Sequence, residues 1–134
     1  MERKIILSDK HRRSVSSSIQ IIDKMMMDIE RVLLNPPEGV ISKTVNDISD
    51  HDADHYMSVI KEMKIQINSL VDKYNLKTEE IKTSRIISSR KAKMWETITD
   101  TSSRKLKGYS KFPSEFAEEF DKDINELRKL IETL

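Results

Sequence analysis

Residues 15–33 read VSSSIQIIDKMMMDIERVL. Val15, Ile19, Ile22, Met26, Ile29 and Leu33 recur at steps of four and three. At about 100° per residue this spacing gathers them on one side of a helix. The stretch therefore reads as an amphipathic helix whose seam faces other helices. Ser8 supplies an N-cap side chain, and Asn35-Pro36-Pro37 stops the run because a residue before proline avoids the α region. A first helix is expected over 8–34.

The rest of the chain follows the same grammar. Its 134 residues hold only two glycines and three prolines, so long spans run without a breaker. Ser49 or Asp50 opens a second helix over 50–74, with Ala53, Tyr56 or Met57, Ile60, Met63, Ile67, Leu70 and Tyr74 as its seam and Asn75 as its end. Between them lies a long connection whose Val40, Ile41, Val45 and Ile48 are expected to pack down. Thr78 is the expected cap of a third helix over 79–107, reached by a tight turn. Its seam of Ile81, Ser84, Ser88, Ala92, Trp95, Ile98, Ser102 and Leu106 is soft, and its serines and threonines lower helix propensity. Phe116, Phe120, Ile124, Leu127, Ile131 and Leu134 define a fourth over 113–133. The expected fold is all-α, an antiparallel four-helix bundle forming a single domain over 1–134, with residues 1–7 extended or disordered.

Charged residues make up 35% of the chain, yet the net charge is only +1, so no global field steers it to nucleic acid or an anionic surface. There is no cysteine, which excludes a disulfide scaffold and a thiolate metal site. The only early apolar run, Ile5-Ile6-Leu7, is too short for a signal-peptide core, and no run approaches the roughly 20 residues of a membrane span. A cytoplasmic protein without a membrane partner is expected.

Residues 49–56, SDHDADHY, place His51 and His55 four apart, so both rings leave a helix in the same direction and could share a cation with Asp54 or Asp47. The EF-hand pattern fails, because His55 stands where its glycine belongs and Lys61 where its glutamate belongs. HExxH fails too. On the wheel both histidines fall about 90–130° from the seam, on a polar flank. The plainer reading is a helix start whose aspartates complement the dipole.

Lys77–Lys111 carries ten basic against four acidic residues, and Phe112–Leu134 three against seven. Pairing across the interface of the third and fourth helices is the expected use of these charges. Arg90, Lys93 and Arg104, on the outer side of the third helix, are the candidates for nucleic-acid or anion binding, which the near-neutral total does not favour. Met25 and Met27 flank Met26 and widen the apolar face of the first helix, where burial in the bundle is the plainer outcome. Together with Ser88, Ala92 and Trp95 they are the candidates for an apolar interface or pocket. No P-loop, Gly-x-Ser-x-Gly or thiol nucleophile is present. No cofactor is implied. The expectation is a non-enzymatic interaction module acting on a protein partner or on itself, with metal binding and nucleic-acid binding as the alternatives.

Overall fold

The computed structural model describes residues 3–134. Among them every regular element is helical: α1 Asp9–Leu34, α2 Asp50–Tyr74, α3 Thr83–Thr99, α4 Ser103–Leu106 and α5 Ala117–Glu132, with a 3₁₀ turn at Ser114–Phe116 before α5. None of these helices is long and apolar enough to cross a membrane. Packing divides the chain into two compact units, Met1–Glu79 and Glu80–Leu134.

In the first unit, α1 and α2 form a hairpin. Each begins on a serine whose hydroxyl accepts a backbone N–H of the first turn, Ser8 from His11 at 3.2 Å and Ser49 from Asp52 at 3.1 Å. Asp9 in α1 and Asp50 and Asp52 in α2 add negative charge at the positive end of each helix dipole. Asn75 ends α2 in the left-handed region, at φ 50° and ψ 51°, which asparagine tolerates better than most residues. Met26 and Ile60 are the buried centre of the hairpin, and Lys64 reaches Glu30 at 2.6 Å across it.

The expected tight turn after α2 does not form. Leu76 is buried, and the backbone beyond it is held along α1. Ser16 Oγ accepts from Lys77 N at 3.1 Å, and Gln20 Nε2 donates to Lys77 O at 3.2 Å. The chain stays non-helical from there to Lys82, so Thr78 caps nothing and α3 starts at Thr83, four residues later than expected. The N-terminal segment is non-helical over 3–8, and Ile5 N donates to Lys73 O at 2.8 Å. Met1 and Glu2 lie outside the described residues.

The 35–49 connection packs down only at Ile48, which is partly buried. Val40, Ile41 and Val45 are exposed, and no helical turn forms. A small loop forms instead, with Gly39 N donating to Ser42 O at 2.7 Å and an isolated bridge between Glu38 and Lys43. A Cβ on Gly39 would sit 2.9 Å from the Ser42 hydroxyl, which can rotate away, and 3.3 Å from Ser42 O, so the loop is tight there.

In the second unit the expected third helix is broken. Thr97, Thr99 and Thr101 each turn the hydroxyl back onto the carbonyl four residues earlier, at 2.8, 2.7 and 3.1 Å. Such bonds compete with the helical ladder and favour bending. The chain leaves the helix at Asp100, and Ser102 caps a new four-residue helix by accepting from Lys105 N at 3.2 Å. α5 secures the break: Asp121 accepts from Ser103 N at 2.8 Å and from Ser103 Oγ at 2.6 Å. α3 and α5 pack together, with Ile131 buried and Phe112 tilted against Phe120 at 5.0 Å between ring centroids. Lys91 Nζ donates to Leu134 O at 2.9 Å, so the first turns of α3 reach past the end of α5. Ser84, Ser88 and Ala92, expected on the seam, are accordingly exposed.

Candidate functional site

Two features stand out once the elements are in place: apolar helix faces left exposed in each unit, and a polar cleft within the second unit.

The first arises from a rotation. The expected seam of α1 centres on Ile22 and Met26, but the covered side runs through Ser16, Ile19, Asp23, Met26, Glu30 and Leu33. Polar contacts set this angle, because Ser16 and Gln20 grip Lys77 and Glu30 pairs with Lys64. The apolar arc of α1 spans about 160° at 100° per residue, and one partner helix covers only part of it. Left in the open are Ile22, Met25, Ile29 and Val32, themselves spaced three, four and three, with Met25 61% and Ile29 52% exposed. Met27 is exposed as well. The burial expected for Met25 and Met27 is therefore absent: each lies about 100° from Met26, one on either side, and both are exposed.

α5 repeats the pattern. The Ser103–Asp121 clamp turns Asp121, Ile124 and Arg128 toward the rest of the unit and leaves Leu127, Leu130 and Leu134 exposed. On α3, Ile86, Ile87, Met94 and Trp95 are also exposed, although the indole N–H of Trp95 donates to Glu132 Oε1 at 3.1 Å.

The second feature is a cleft of about 480 Å³ between the α3–α4 junction and α5. Ile98 and Ile124 form apolar parts of its wall; Ser102, Asn125 and Arg128 bring polar groups, with Glu118, Asp121 and Lys122 also on the lining. Both Asp121 oxygens hold Ser103, and these bonds, chiefly that from the hydroxyl, keep its carboxyl below the usual aspartate range, aided by Lys107.

The histidine region is open. His51, His55, Asp54 and Asp47 are all exposed, and the His55 ring lies 6.0 Å from that of Tyr56. Among the described residues no three His, Asp or Glu side chains are grouped to hold a metal ion. Arg90 and Lys93 are exposed on α3, but the helix break puts Arg104 on α4, so the three do not share one helix face. The charge pairing expected between the third and fourth helices is not seen: among the described residues no ion pair joins α3 or α4 to α5. The pairs in this unit are local, Lys105–Asp100 at 3.5 Å and Arg128–Glu132 at 3.9 Å. Sequence reasoning missed Asp121 and Arg128. The signal for them was polar residues seven apart beside an apolar stripe, at positions where a simple amphipathic helix would carry carbon.

Searches against protein-family models, curated proteins and solved structures return no match for this chain.

Proposed function

We propose that this protein is a non-enzymatic helical interaction module that associates with a second copy of itself through the open face of α1. The observation that carries this reading is the heptad-spaced row Ile22, Met25, Ile29 and Val32, exposed while Asp23 and Glu30 occupy the covered side. Rows of this spacing are the contact stripe of helix–helix association. Isolated exposed apolar residues are ordinary, whereas a continuous row of large ones is characteristic of binding surfaces. Methionine within it suits an adaptable contact. The antiparallel four-helix bundle expected from the sequence belongs to the same proposal, since each helix of a bundle meets two neighbours and so uses a wider arc than a hairpin does. A cytoplasmic setting also remains part of it.

Sedimentation velocity across a concentration series tests the reading, using the full chain and its Ile29→Glu variant. Circular dichroism confirms that α1, in which Ile29 is half exposed, still forms. The expected result is a reversible oligomer in the parent chain and a monomer in the variant. A parent chain that stays monomeric at every concentration overturns self-association. If Ile29→Glu then lowers the unfolding temperature, the row is covered within one chain, as in the closed bundle.

A further inference from the structure

The cleft in the second unit holds a chemical imbalance that neither the fold nor the interaction reading uses. Arg128 Nε is shielded from solvent and has no hydrogen-bond acceptor. Its nearest acid is Glu132, whose Oε1 lies 3.9 Å away and accepts from the Trp95 indole. That distance is beyond a hydrogen bond. Buried donors in folded proteins are nearly always satisfied, so an orphan of this kind calls for a partner.

The neighbouring groups point the same way. Ser102 Oγ accepts from Lys105 N, which leaves its own proton unused among the hydrogen bonds of the described residues, and the Asn125 amide makes none there. Of the acids on the lining, Asp121 already serves Ser103 with both oxygens, while Glu118, one turn from Lys122, makes no hydrogen bond or ion pair among the described residues. Three of the unanswered groups are donors: the Arg128 Nε–H, a hydroxyl and an amide. They sit beside two isoleucines in a space large enough for a small organic molecule. A planar carboxylate matches the guanidinium fork better than a point charge does.

We infer that this cleft binds a small organic carboxylate. Arg128 holds the anionic group, Ser102 and Asn125 add donors, and Ile98 and Ile124 contact the apolar body. This site is independent of the α1 face.

The test is a nitrogen–proton NMR titration of the full chain with benzoate, acetate and inorganic phosphate. It follows the Arg128 Nε–H and Asn125 amide signals. Benzoate is expected to give saturable shifts confined to the cleft, acetate weaker ones because it lacks the apolar body, and phosphate the weakest. Arg128→Gln should weaken benzoate binding about tenfold or more, the worth of one charge-assisted pair. Asn125→Ala should weaken it less, and the exposed control Lys111→Gln should leave it unchanged. The backbone spectrum of each variant reports whether the Ser103–Asp121 clamp persists. Shifts that do not saturate, or that persist equally in Arg128→Gln with the clamp intact, overturn the site. Tighter binding of phosphate than of benzoate overturns the carboxylate assignment.

Discussion

Asp121 shows how one side chain can decide local architecture. Its carboxylate receives both the backbone N–H and the hydroxyl of Ser103, so it stabilises the start of a helix too short to stand alone. The ionised form makes these bonds, and its pKa is lowered accordingly. A lowered folded-state pKa contributes stability that is present above the ordinary aspartate value and disappears as pH falls through the folded one. Asp121→Asn is therefore expected to melt at a lower temperature than the parent chain at neutral pH. The difference should shrink below about pH 4, where the unfolded carboxylate takes up its proton. Thermal melts across a pH series check this, and a difference independent of pH would contradict it. Met26 and Ile60 act by volume instead. Truncating either to alanine should cost about 2–4 kcal/mol in urea unfolding, through lost burial and a residual cavity. Met25→Ala, on the open side of the same helix, should cost well under 1 kcal/mol.

At the scale of elements, caps and competing hydroxyls set the boundaries. Ser49→Ala removes the acceptor for Asp52 N and should destabilise the first unit by about 1 kcal/mol. The effect should appear as faster amide exchange in the first turn of α2. The starts of α1 and α2 were legible because a cap acts within four residues of sequence. The end of α1 at Asn35 and of α2 at Asn75 were legible for the same reason. The late start of α3 was not, because its cause, Ser16 and Gln20, lies about sixty residues away in the chain. The break at Asp100 was half legible. Its threonines announce weak helicity, yet the contact that secures the new direction comes from α5.

At the scale of the molecule, the two compact units are joined through a stretch, Thr78–Lys82, that is exposed and non-helical. Brief trypsin treatment should cut first at Lys82 and at Lys43 in the 35–49 connection, before any lysine within a helix, since cleavage needs extended, accessible backbone. Mass analysis of the first fragments checks this; early cutting at Lys91 or Lys129 would count against the helical assignments. The same scale governs the candidate sites. The polar flank for His51 and His55 could be read from helix angle alone, and those residues are exposed. The open row on α1 could not, because its apolar arc was legible while the part of it that α2 would cover was not.

The sequence by itself determined the helical class, the caps and the width of each apolar arc, since all three follow from neighbours within one or two turns. Tertiary structure alone decided how each helix is rotated in its unit, where the third expected helix starts and breaks, and that Arg128 Nε is left without a hydrogen-bond acceptor. Those outcomes depend on Ser16 with Lys77, Glu30 with Lys64 and Ser103 with Asp121. Each is a short-range polar contact between residues distant in the chain, and no local periodicity encodes it.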